Sequence, residues 1–221
     1  MAFLLFRQEV GIMRLKGVCD FMAYDNDLIA GKLRRWENYL ERYRLPAWEE
    51  IPDFGLYKEQ VVQLLKQYLS YLPPESKQAQ TITAAAINNY VRTKMLPEPR
   101  RKKYYRVHIA YLIMICTFKQ TLSLSMLQTL LPGDLPEQDV KKAYASCARR
   151  HRLCTQYFVE QVKRSAAEML GAEIDSELAV QDTTELIASA AILSGLAKLF
   201  AEKLLLLDGK TLETGGSIEV A

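Results

Sequence analysis

The sequence predicts a mostly α-helical protein, and three observations carry this. Apolar residues recur at i, i+3, i+4 and i+7, most clearly in Val61, Leu64, Leu65, Tyr68, Leu69 and Leu72. Asp27, Thr83 and Ser123 stand just before periodic stretches, where a side-chain oxygen caps a helix. Prolines and glycines gather in connectors such as "LPAWEEIPDFG" and "LPGDLPEQD". With 221 residues, 49% hydrophobic and 25% charged, the composition is that of a soluble globular protein able to bury a sizeable core. The length suits one large domain or two small ones.

Taken in order, residues 1–27 are expected to be a tail. "MAFLLFRQEVGIMRLKG" is a poor signal peptide, because Arg7 and Glu9 interrupt its apolar stretch. A helix capped by Asp27 should run to about Arg44, with Leu28, Leu33, Trp36, Tyr39, Leu40 and Tyr43 on its apolar side. The next should span 57–72 and stop at Pro73 and Pro74. Thr83 should cap a short helix over 83–93, with Ile87, Tyr90 and Val91 inward and Ala85, Asn88, Asn89 and Arg92 outward. Pro97 and Pro99 break the pattern before a helix over 106–119, whose core side holds Ile109, Leu112, Ile113, Ile115 and Cys116. A Ser123-capped helix to Leu131, the Pro/Gly boundary, and helices over 137–170 and 182–207 complete the chain, with a polar tail after them. The domain division expected is 28–132 and 133–221.

Net charge is only +3, but it is unevenly placed. Between Thr83 and Arg106 stand Arg92, Lys94, Arg100, Arg101, Lys102, Lys103 and Arg106 against a single acid, Glu98. Consecutive cations on a stiff connector suit a phosphate backbone, which they bind by releasing counterions. A solvated basic turn is the competing explanation. On the preceding helix, Asn88 and Asn89 could read adenine edges and Arg92 guanine or phosphate, although amides are also common on solvated helix faces. Tyr90 and Tyr104 could give hydroxyls to phosphates or serve as core.

This order of short helix, cationic hairpin, helix and Ser-capped helix, over Thr83 to Leu131, resembles the winged helix-turn-helix domain of MerR-type transcriptional regulators. Asn88, Asn89, Tyr90 and Val91 stand where that family carries an Arg-Tyr-Tyr-Glu-like run, and Lys94, Met95, Leu96 and Pro97 replace its Gly-Leu-Leu-Pro exit. Arg100 to Tyr104 stand where its wing carries Arg and Tyr, with Tyr105 at the capping place of the helix after it, and Leu122, Ser123, Leu124 and Leu127 resemble its Phe-Ser-Leu-x-x-Ile entry. Over about 28–131 the chain is similar to an uncharacterised bacterial MerR-like family of unknown function. The resemblance implies a cytoplasmic DNA-binding transcriptional regulator with a recognition helix at 83–93 and a basic wing at 97–105. The wing is small, and a C-terminal helical bundle follows it. The implied contacts to double-stranded DNA are Asn88, Asn89, Tyr90, Arg92, Arg100, Arg101, Lys102, Lys103, Tyr104 and Arg106. A homodimer built mainly from residues 137–207 is expected independently, because helix 182–207 is apolar on more than one face (Leu186, Ile187, Ile192, Leu193, Leu196, Leu199, Phe200 and Leu204), and the same helices could hold a small-molecule effector. The Asn-Asn pair and shortened wing keep open an alternative, a protein-interaction module whose winged scaffold no longer binds DNA.

Cys147, His151 and Cys154 in "CARRHRLC" share one helix face, as ligands of a soft metal would. They also belong to a seam of Val140, Tyr144, Cys147, His151, Cys154, Phe158 and Val162, spaced by fours and threes as in a helical bundle. Cysteine serves there as a small hydrophobe, and packing rather than a metal is expected. Cysteines at 19, 116, 147 and 154 form no CxxC pair and suit a reduced compartment. No segment has the roughly 20 uninterrupted apolar residues of a membrane span, so no membrane partner is expected. With two histidines, no Gly-rich phosphate loop and no triad spacing, neither an enzyme nor a cofactor is expected.

Overall fold

The computed structural model describes residues 25–72, 82–173, 179–180 and 183–206. Among these, 70% are helical and none forms a strand. The helices are α1 (Asn26–Arg42), a 3₁₀ turn (Trp48–Glu50), α2 (Lys58–Tyr68), α3 (Ala84–Arg92), α4 (Arg106–Phe118), α5 (Leu124–Leu130), α6 (Glu137–Ser165), α7 (Ala167–Leu170) and α8 (Thr183–Leu205).

The centre is α4. Every residue from His108 to Cys116 is buried, as suits a helix apolar on all sides. Helices α2 and α6 pack directly on it. Val140 and Tyr144 of α6 join the same core as Ile51, Leu65, Ile87 and Leu127. The core therefore continues across the Pro/Gly connector at 132–136, where a domain boundary was expected. Across this connector Tyr144 donates to the Pro46 carbonyl at 2.7 Å, and Lys141 pairs with Glu49 at 2.9 Å.

Helix α1 lies along α6 and α7. Asp25, not Asp27, caps it, accepting from the Leu28 amide at 3.0 Å, so Asn26 and Asp27 belong to the helix rather than the tail. Residues 1–24 of that tail lie outside the described residues. Lys163 reaches Glu37 at 2.7 Å and Glu41 at 3.3 Å, and these carboxylates hold its pKa above the ordinary lysine value. The long helix expected over 137–170 breaks at Ala166. Gly171, at φ +66°, ends the short α7 by closing the two reversed hydrogen bonds of a Schellman motif, Ala172 N to Ala167 O and Gly171 N to Glu168 O.

The expected seam of α6 is only partly its core line. Val140 and Tyr144 are fully buried, and Cys147 and His151 half-buried, but Cys154 is exposed and Phe158 is 45% exposed. Val159 is buried in their place, because the second half of α6 faces α1, and Phe158 meets Trp36 edge-on at 5.5 Å.

Helix α8 packs against α5. Its residues from 190 to 200 are all exposed, with Leu196 58% and Phe200 66% exposed. Glu185 and Lys198 interrupt its apolar run. By length and composition, Thr183–Glu202 is nonetheless long and apolar enough to cross a membrane, with a mean hydropathy of 1.4.

Candidate nucleic-acid interface

Helix α3 forms where Thr83 caps it, its side chain accepting from the Ala86 amide at 3.0 Å. Ile87 and Tyr90 turn into the core. This leaves Ala85, Asn88 and Arg92 exposed, with Asn89 partly so. Both asparagines are already held by cations. Lys58, at the start of α2, donates from Nζ to Asn88 Oδ1 at 3.1 Å. Arg92 donates from Nη2 to Asn89 Oδ1 at 2.7 Å.

The exit from α3 is unusual in one residue. Met95 N bonds to Tyr90 O and Lys94 N to Val91 O, the same Schellman pairing that ends α7. The left-handed position that glycine fills there is taken here by Lys94, at φ 58°. The loop behind it is packed tightly. A Cβ on Gly133 would come within 2.1 Å of the Lys94 carbonyl oxygen.

The cationic connector folds into a minimal hairpin. Lys103 N donates to Arg100 O at 3.0 Å, and the two central residues, Arg101 and Lys102, hold φ of 52° and 63°. Positive φ at both central residues is the pattern of a type I′ turn, which favours Asn-Gly. On the returning limb, Tyr104 exchanges two 2.8 Å hydrogen bonds with Leu56. Gly55 permits this approach, since a Cβ there would meet Lys103 at 2.9 Å. His108 fastens the base of the hairpin. Its Nδ1 accepts from the Tyr105 amide at 3.1 Å, and its Nε2–H donates to Glu98 O at 3.2 Å. Burial lowers its pKa.

A short run of contacts joins hairpin to helix. Lys103 Nζ lies 5.4 Å from the centre of the Tyr57 ring, Lys58 is the next residue, and Lys58 holds Asn88. On this surface Arg92, Lys94, Arg100, Arg101, Lys102 and Lys103 are paired with no carboxylate among the described residues. Elsewhere Arg44, Lys141 and Lys163 all have acidic partners.

Three residues expected at the interface are placed otherwise. Tyr90 and Tyr104 are core residues, 3% and 4% exposed, and cannot reach a phosphate. The Tyr90 hydroxyl is buried without a partner, and burial pushes its pKa up to about 12. Arg106 is turned inward. It donates from Nε to Ile51 O at 2.7 Å, lies over Trp48, and approaches Asp53 at 3.8 Å. Lys58, which the sequence alone does not single out, belongs to the surface instead, as does Lys94, one of the clustered cations not expected as a contact. Lys94 was legible as the residue occupying a Gly-like exit.

The Cys147, His151 and Cys154 side chains do not converge. The His151 ring packs against Tyr71 at 4.9 Å and Tyr43 at 5.8 Å, and burial raises Cys147 to about 11. No three His, Cys, Asp or Glu side chains gather as metal ligands would, among the described residues.

Residues 46–147 match a domain family of unknown function, DUF1836. The matched stretch begins at the connector after α1 and ends within α6, so it contains α2, α3, the hairpin, α4 and α5. No curated protein and no solved structure matches the chain.

Proposed function

We propose that this protein is a cytoplasmic DNA-binding regulator of the MerR-like winged helix-turn-helix type, using α3 as recognition helix and the 100–103 hairpin as wing. One observation carries the reading. The non-glycine residues with left-handed backbone among the described residues are Lys94, Arg101 and Lys102, all cations and all on the unpaired basic surface. A side chain in that conformation costs about 1 kcal/mol relative to glycine. Crowding like charges on a strained turn adds repulsion. Stability alone would select Asn or Gly at these positions, and a polyanion supplies the missing compensation.

The order α2, α3, hairpin and α4 supports the same reading, as does the way Lys103 and Lys58 lead from hairpin to helix. Two copies would place two α3 helices on half-sites one DNA turn apart. The exposed apolar side chains of α6 and α8, including Leu153, Tyr157, Leu196 and Phe200, support a homodimer.

The test is a paired exchange at the hairpin tip, Arg101→Asn with Lys102→Gly. The variant should melt higher than the parent, because the turn is relieved. It should bind duplex DNA more weakly at every sequence, with the salt dependence of log K reduced by roughly one unit per lost phosphate contact. Unchanged affinity and salt slope would refute the wing assignment.

A further inference from the structure

We infer that the outer face of the hairpin and of the connector before α2 is a stacking platform for unpaired bases, so that the protein binds single-stranded DNA as well as duplex. The inference rests on the reading above that the hairpin meets a polyanion. Leu56 and Tyr104 exchange two 2.8 Å hydrogen bonds, and both side chains are buried. Side chains alternate along extended backbone, so when these two point inward their neighbours point outward. The antiparallel pairing then sets Tyr57 opposite Lys103 and Gly55 opposite Tyr105. The contacts agree. Lys103 Nζ lies 5.4 Å from the centre of the Tyr57 ring. A Cβ on Gly55 would lie 3.0 Å from Tyr105 Cζ and 2.9 Å from Lys103 Cβ and Cδ. The missing side chain at Gly55 thus lets the Tyr105 ring lie across the connector, beside Lys103.

This face is aromatic and cationic together. Phe54, next to Gly55 in the chain, is 63% exposed, Tyr57 is 54% exposed, and Tyr105 is half-buried. Arg100, Arg101 and Lys102 are exposed at the hairpin. The acids of these segments are Asp53, which approaches Arg106 at 3.8 Å, and the exposed Glu59 and Glu98. A duplex accounts for the cations better than for the rings. Its base faces are hidden in the stack, and from its major-groove edges a phenylalanine gains only a thymine methyl. Against phosphate the ring has no polar atom to offer. Unpaired bases answer both halves of the surface, with phosphates for the cations and π faces for the rings. Lys103 already lies over Tyr57, a cation–π contact that holds this ring in place. Phe54 is the most exposed of the three rings, so stacking depends on it most.

The experiment measures binding of the intact protein to a labelled oligo(dT) and to an abasic strand of equal length and charge, by fluorescence anisotropy. The oligo(dT) should bind about tenfold more tightly, because only it carries bases to stack. Phe54→Ala, at a position the core does not use, should remove most of that difference and leave binding to the abasic strand unchanged. Phe54→Trp should keep the difference, and its added indole fluorescence should change when oligo(dT) binds. Equal affinity of the parent for the two strands would overturn the inference. So would a Phe54→Ala variant that retains the full preference. In either case duplex binding with its salt dependence would leave the wing reading intact. Binding to phosphatidylglycerol vesicles but to no oligo(dT) would assign the face to a membrane and overturn the inference. Failure to bind either strand or any duplex would defeat both.

Discussion

Two helices of this protein are rich in apolar residues, and the fold treats them in opposite ways. Helix α4 is buried on every side from His108 to Cys116, while α8 leaves Ile192, Leu193, Leu196, Leu199, Phe200 and Leu204 open. Composition barely separates them. What separates them is what lies alongside: α2 and α6 cover α4, whereas α8 meets only part of α5 and leaves every residue from 190 to 200 exposed. Apolar sequence states a demand for burial. Whether this chain or another meets the demand is settled by where the helix sits.

The comparison would break first on truncations. Ile113→Ala in α4 should cost about 2–5 kcal/mol in chemical denaturation, since the fully buried side chain leaves a cavity. Leu196→Ala in α8 should stay within about 0.5 kcal/mol for the isolated chain at high dilution. In light scattering, the intact protein should be a dimer at micromolar concentration, and Leu196→Asp with Phe200→Asp should return it to a monomer. A monomeric parent would show that a second copy does not cover α8.

Two glycines sharpen the contrast. Gly133→Ala would drive a methyl against the Lys94 carbonyl oxygen, 2.1 Å away, and should destabilise the protein by about 1–3 kcal/mol. Gly195 of α8 has nothing within 4 Å, so Gly195→Ala should stabilise the isolated chain by about 1 kcal/mol through helix propensity. If the same change weakens the dimer, the Gly195 side of α8 faces the partner.

A smaller effect should appear on acidification, at the entry to α4. Burial lowers the His108 pKa below its ordinary 6.5, so the folded protein binds that proton less tightly than the unfolded chain does. Unfolding therefore takes up a proton as pH falls below about 6.5, and stability declines from there until pH passes the lowered folded value. Protonation also removes the Nδ1 acceptor that holds the Tyr105 amide. His151, likewise lowered by burial, acts in the same direction. Thermal melts between pH 7 and pH 5 should show a falling midpoint, with a shallower fall in His151→Phe. A midpoint that rises on acidification would contradict the neutral, Nε2-protonated form of His108.

A change in the opposite direction concerns the Tyr90 hydroxyl, buried without a partner against the α4 core. Tyr90→Phe should stabilise the protein by about 1 kcal/mol in denaturant titrations.

The sequence by itself determined the helical class, the Thr83 and Ser123 caps, the outward turn of Asn88 and Arg92, and the crowding of cations between 92 and 106. Each of these is written in residues within a few positions of one another, because a helix repeats every 3.6 residues and a cap acts over three. Tertiary structure decided which of those groups remain available. Tyr90 and Tyr104 went to the core, and Arg106 was taken by Ile51 and Asp53, partners more than fifty residues away. Lys58 took the oxygen of Asn88 from another helix. The left-handed backbone at Arg101 and Lys102 was equally hidden, since nothing in a lysine or arginine announces a conformation that glycine and asparagine favour. The long turn of α6 toward α1 moved the buried position from Phe158 to Val159, because the helix changes neighbours midway. Local periodicity fixes where a side chain can point. Only the packing of distant segments fixes what it meets there.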